Sequence, residues 1–257
     1  MSLKKLFAFV LILTLAASCK KKEVETDNLF KFRDYISYTT SGMTSVASPI
    51  QINLANDVEG WDIGTEITDK ILSIKPHVDG KLTASNKHTL LFTPDENLEP
   101  DTEYTVTVKL GEVYKNMPKG FKDYTFQFKT ITPNFNVVTK HLQSYSKKWQ
   151  YLEGVIKSAD VISITDAKTI VEASQNGKKL ALVFNEFNES SKYFEFKIDS
   201  INRQIEDSKI LVKWNGKPIN ASNKGENTIN IPGINNFTIV DVNVIQSPEQ
   251  HLSINFS

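Results

Sequence analysis

Leu98-Glu99-Pro100-Asp101-Thr102-Glu103-Tyr104-Thr105-Val106, preceded by Thr89-Leu90-Leu91-Phe92-Thr93-Pro94, is the stretch that decides the fold. Pro100 presets φ and opens a turn with Asp101, and Thr102 suits the start of a strand. Beyond it Tyr104, Val106 and Val108 alternate with Thr105, Thr107 and Lys109, which is the period of a strand buried on one side only. Tyr104 is placed to bury its ring while its hydroxyl returns to backbone near the turn.

The same alternation extends outward in both directions. Ile50, Ile52 and Leu54 oppose Gln51 and Asn53, and Phe126 and Phe128 oppose Gln127 and Lys129. Turn signals separate these runs: Asp57 to Gly60, Asp79-Gly80, Pro94-Asp95 and Pro100-Asp101. Short strands with such regular punctuation and almost no helical period predict an all-β sandwich over residues 29–132. Leu98, Pro100, Thr102 and Tyr104 resemble the late-strand signature of bacterial Ig-like domains, and the resemblance implies a tyrosine corner at Tyr104.

Ile131-Thr132-Pro133-Asn134 marks a boundary, because a proline cannot donate to a ladder. A second unit, residues 133–235, is again mainly β. Val137, Thr139 and His141 alternate with Val138, Lys140 and Leu142, and further strands are predicted at 151–156, 179–184, 193–198, 210–214 and 228–231. Ala167, Ile170 and Val171 make a short helical face over 165–173, with Ser163 or Thr165 as its N-cap. Asn215-Gly216 is the strongest short hairpin signal in the chain. Residues 236–257 hold two more strands around Ser247-Pro248 and weakly echo Ser48-Pro49 and the strand after it. They are read either as the first strands of a truncated third β domain or as closing strands of the second. The expected fold is therefore mainly β, with tandem antiparallel sandwiches and one short helix in the second.

At the N-terminus, Lys4 and Lys5 precede an apolar run from Leu6 to Ala17, the layout of a secretory signal peptide over residues 1–18. The run falls short of the ~20 residues that span a bilayer. Leu15-Ala16-Ala17-Ser18-Cys19 resembles a bacterial lipobox, which implies acylation of Cys19, a membrane partner through that lipid, and a charged tether over residues 19–28. Lys20 after the cysteine, where an aspartate would signal retention, favours the outer membrane under the usual sorting rule. Cys19 is the only cysteine, so an acylated chain has no thiol left for a disulfide, a metal or a nucleophile.

Composition excludes more than it assigns. Removing Lys4 and Lys5 from 30 basic residues leaves a mature chain two charges short of balance against 30 acidic ones, which argues against nucleic acid as a partner. His77, His88, His141 and His251 are scattered without ligand spacing, and neither a nucleophile elbow nor a phosphate loop is present. Asp95, Glu96, Glu99, Asp101 and Glu103 crowd one turn but lack a calcium-loop spacing. Trp61, Trp149 and Trp214 suit either a sugar platform or the core, and aromatics at strand spacing favour the core. No catalytic set, metal site or cofactor is expected.

One resemblance is wider. The order of lipobox, charged tether, Asn28-Leu29-Phe30-Lys31-Phe32-Arg33-Asp34-Tyr35-Ile36-Ser37, the late-strand signature, and a β-rich unit holding Ser158-Ala159-Asp160-Val161 and Asn223-Lys224-Gly225-Glu226-Asn227 is similar to the N-terminal part of bacterial alpha-2-macroglobulin family lipoproteins. That implies macroglobulin-type sandwiches and a protease-trapping product whose partners are proteases. Bait and thioester have no counterpart in these residues, so the chain would be an anchor and spacer end. A stand-alone surface lipoprotein that binds glycan or protein, and an envelope spacer without a ligand, remain open on the residues alone.

Overall fold

The computed structural model describes residues 26–61, 63–68, 70–185 and 188–257. The signal peptide, Cys19 and Lys20 to Lys22 lie outside the described residues. Among the described residues no helix is long and apolar enough to cross a membrane.

The first module is a two-sheet sandwich. One sheet has the order β1-β3-β6-β5, from Ile36–Thr39 (β1), Ile50–Leu54 (β3), Thr89–Pro94 (β6) and Gly80–Asn86 (β5). The other has the order β2-β8-β7-β4, from Gly42–Thr44 (β2), Asp123–Thr130 (β8), Glu103–Lys109 (β7) and Leu72–Lys75 (β4). All pairings are antiparallel except β2 with β8. Ile50, Ile52 and Leu54 from one sheet meet Tyr104, Val106, Val108, Phe126 and Phe128 from the other in a single core. A short helix, α1 (Leu110–Val113), caps one end of β7. Ahead of β1, Phe32 is fully buried edge-on to Phe121 and Tyr124, and Asp27 exchanges two hydrogen bonds with Thr125. Asp27, the last position but one of the expected tether, is therefore held against β8.

The second module has its own core. Its sheets are β13-β14-β10-β9, from Leu182–Phe184 (β13), Ser190–Asn202 (β14), Trp149–Ser163 (β10) and Phe135–Ser144 (β9), and β12-β11-β15-β16, from Lys178–Leu180 (β12), Val171–Gln175 (β11), Ser208–Asn215 (β15) and Lys224–Ile231 (β16). The run predicted as one strand over 179–184 is two. Lys178–Leu180 pairs with β11 and Leu182–Phe184 with β14, so the chain changes sheet at Ala181. The helix α2 (Ile164–Ile170) is capped by Ser163, whose hydroxyl accepts the Asp166 N–H at 3.0 Å. It stops at Ile170 because Val171 already pairs with Trp214.

Two local expectations are corrected. The simple alternation predicted for β9 fails, since Val137 and Leu142 both point inward. Opposite Leu152 to Gly154 of β10, β9 spends one extra residue, and that bulge inverts its phase. Asn215-Gly216 does not make a two-residue hairpin. The chain instead forms a 3-10 turn at Lys217–Ile219 and buries Ile219 and Ala221 before returning in β16, so core filling overrides the turn preference.

The last strands, Ile239–Ile245 (β17) and His251–Phe256 (β18), form a separate two-stranded sheet. Ser247-Pro248 lies in their connecting loop, whereas Ser48-Pro49 joins strands of different sheets, so the sequence echo has no common structural setting.

Candidate functional site

Both modules contribute side chains at their junction, and the signature residues lie beside it. Leu98 is buried and donates its N–H to Val46 O at 2.9 Å. Tyr104 is buried, stacks on Phe128 at 5.3 Å, and its hydroxyl accepts the Glu99 N–H at 3.0 Å. Burial pushes the Tyr104 phenol upward, against the opposing pull of the Glu99 amide. Thr102 donates its hydroxyl to Pro100 O at 2.9 Å and its N–H to Thr130 Oγ1, and Thr130 donates in turn to Glu99 O at 2.7 Å. Pro100 thus sits at the head of a turn locked from both sides. Asp101, at φ 52°, completes it with an ion pair to Lys129 at 2.6 Å. The side-chain bond from Lys129, then that from Thr132, holds the Asp101 carboxyl below its ordinary range.

The second module reaches this corner through β10. Its inner part, Leu152 to Ile156, belongs to the second core, while Val161 packs against the first. Between them stands Asp160, only 6% exposed. Its carboxylate accepts the Ser45 hydroxyl at 2.6 Å, the Val46 N–H at 2.7 Å and its neighbour Val161 N–H at 2.9 Å, and pairs with Lys192 at 3.3 Å. Burial pushes this carboxyl up, but the four donors outweigh it and hold it below the usual carboxylate range. The linker is tied to both modules as well. Ile131 donates to Thr44 O at 3.0 Å, Thr132 to Asp101, and Asn134 O accepts from Ala159 at 2.8 Å.

Beside this contact runs a groove of about 300 Å³, lined by Leu98, Pro100 and Ile131 from one side and Asp160, Ile162 and Ile219 from the other. Polar residues line it as well, among them Glu99, Ser163 and Asp166, and the Asp160 carboxylate is already engaged by its donors. The arrangement fixes the geometry of the two modules at this corner.

Other candidates from the sequence are dispersed. His77, His88 and His141 each lie beside one aspartate (Asp79, Asp57 and Asp241), and His251 meets the Glu249 carbonyl. Among the described residues no three His, Cys, Asp or Glu side chains form a metal-binding group. Trp61 rests on the first core and Trp214 on the second, where its indole lies over Gly225, while Trp149 is exposed at the start of β10. Sequence reasoning missed Asp160 as a junction residue. Its only local signal is an acid inside an otherwise apolar strand tail.

Residues 36–130 match the model of a family described as bacterial Ig-like domain. No curated protein matches the chain in sequence. Among solved structures, L,D-transpeptidase 3 from Mycobacterium tuberculosis with a faropenem-derived adduct is 13% identical over 46% of this chain and 44% of its own, with a TM-score of 0.26. The I9-I11 tandem of titin is 14% identical over 80% of this chain and 68% of its own, with a TM-score of 0.33. The titin Ig tandem A164-A165 is 13% identical over 77% and 94%, with a TM-score of 0.28.

Proposed function

We propose that this protein, whose residues 36–130 form a bacterial Ig-like domain, is a tethered scaffold that holds a second β module at a set distance and angle from a membrane. The observation that carries this reading is the Asp160 junction. A buried carboxylate with donors from both modules ties the two sandwiches together, which supports a spacer over a loose tandem. An Ig-like domain is typically non-catalytic, and its fold alone does not set a ligand.

The tether is assigned to acylated Cys19, with Lys20 directing the chain to the outer membrane. The finer role is the anchored, non-reactive end of an alpha-2-macroglobulin-type protease trap. It rests on the likeness of residues 28–37, 158–161 and 223–227 to the N-terminal part of those lipoproteins, with bait and thioester supplied from outside these residues.

The test uses membranes from cells making the wild-type chain or Cys19→Ser. Radiolabelled palmitate should enter the wild type alone, and Cys19→Ser should leave the membrane fraction. Equal membrane retention of both would sink the tether. Challenge of membranes from the native cells, which hold the natural product, with trypsin, followed by blotting for residues 29–131, separates the two readings. A slow-migrating species containing trypsin supports the trap, and its absence leaves a plain spacer.

A further inference from the structure

A groove of about 820 Å³ lies on the second module and shares no residue with the Asp160 junction. That is the size of a ligand site. The end of α2 and four strands build it, the strands in the order β12-β11-β15-β16. Across them Val171 faces Trp214 and Trp214 faces Gly225, and on the next rung Glu172 faces Lys213 and Lys213 faces Glu226. Gly225 lets the indole lie across β16, since an added Cβ would stand 2.6 Å from the ring. Trp214 therefore packs part of its ring on the second core and lines the groove with the rest.

Four ammonium groups line the groove against two carboxylates. Lys213 is paired with Glu226 at 4.0 Å, and Lys168 is engaged as well. Lys179 and Lys224 have no carboxylate partner among the described residues. On β15, between the strands that carry these two lysines, stand two neutral donors. Asn215 Oδ1 accepts the Lys217 N–H at 3.0 Å, which leaves its Nδ2 to donate, and Trp214 Nε1 makes no hydrogen bond among the described residues. Apart from Glu172, the uncommitted side chains named here are all donors.

We propose that this groove binds an acidic oligosaccharide, a short chain of sugar rings that carries carboxylates. Lys179 and Lys224 rise from the two outer strands of the sheet, about 14 Å apart at the usual strand spacing. One small anion does not span that distance, whereas a chain with repeated negative charge does. Between its charges such a chain meets Asn215 and Trp214, and the hydroxyl and ring oxygens of a sugar accept from both. An extended acidic peptide would instead look for an open strand edge. Here β16 is laced to β9, because Asn223 donates to Phe135 O and Asn227 to Thr139 Oγ1. The site goes beyond the scaffold reading and does not depend on the Cys19 tether.

The test titrates the full chain, in neutral detergent, with trigalacturonate by calorimetry. Saturable binding that weakens as salt is added is expected, with none for neutral galactotriose. Lys179→Gln with Lys224→Gln should weaken binding roughly tenfold. Trp214→Phe keeps a ring on the core but removes the N–H, and should weaken it roughly fivefold. Lys81→Gln with Lys87→Gln removes the same charge from exposed positions of the first module and should change nothing. Independently of any variant, hydrogen exchange in wild-type peptides spanning residues 213–226 should slow when trigalacturonate is added. Absence of saturable binding, equal binding of galactotriose, or an equal loss in the first-module variant overturns the proposal. So does equally tight binding of triglutamate, which would assign the groove to an acidic peptide, or of inorganic phosphate, which would make it a site for a single small anion.

Discussion

Ser45 donates its hydroxyl to Asp160, 115 positions further along the chain, at 2.6 Å, and this bond joins the loop before β3 to the tail of β10. Together with the Val46 N–H and Lys192 it makes the carboxylate a shared part of both modules.

Replacing Asp160 by alanine leaves the buried Val46 N–H without its acceptor and the half-exposed Lys192 ammonium without its partner. The expected cost is about 2–3 kcal/mol, seen as a lower midpoint in urea unfolding. Asp160→Asn keeps one acceptor oxygen and should lose less. Small-angle scattering should show a broader spread of inter-module distances in the alanine variant. An unchanged profile would mean that the linker alone sets the angle.

The same carboxylate sets an acid limit. Its folded pKa lies below the unfolded value of about 3.9, so the stabilisation is fully present above that value and is lost as pH falls through the folded pKa. Inter-module scattering should therefore stay constant from neutral pH down through the ordinary carboxylate range and change only below it. Asp160→Asn should show no such step, whatever acid does elsewhere.

Tyr104→Phe keeps the ring on Phe128 but removes the acceptor for the Glu99 N–H. A loss of about 1 kcal/mol is expected by chemical denaturation. Because the turn also carries Leu98, whose N–H bonds Val46 O, the change should also raise amide exchange at Leu98 and Glu99.

Gly154 lies where β10 crosses the Phe196 ring of β14, and an added Cβ would overlap that ring. Phe196 is buried and cannot swing away. Gly154→Ala should cost roughly 1–3 kcal/mol from overpacking and should lower the thermal midpoint, while Gly120→Ala, with open space around it, should not.

Arg203 is 4% exposed and its guanidinium is held by backbone carbonyls at Pro232 and Gly233. Arg203→Met keeps much of the volume and frees those carbonyls. Limited proteolysis should then cut first within residues 232–238, releasing the C-terminal hairpin while both cores persist. Cleavage elsewhere first would show that Asp207, which accepts from Gly233 and Asn236, suffices to hold the segment.

Much of the β architecture was legible because local periodicity reports which side of a strand is dry. The alternations at 50–54, 104–109 and 126–128 face inward as their patterns demand, and Ser163 caps the helix that Ala167 and Ile170 mark out. By itself the sequence determined strands, turns, a helix start and the sidedness of each regular run. Only the tertiary structure decided where that sidedness breaks: the bulge that inverts β9, the change of sheet at Ala181, the 3-10 turn after Asn215-Gly216, and the hairpin that turns its polar side inward. It also decided that Asp160 is a junction residue. The physical reason is range. A neighbour two residues away leaves a period in the chain, whereas the partner that satisfies a buried carboxylate lies 115 positions off and leaves no mark beside it.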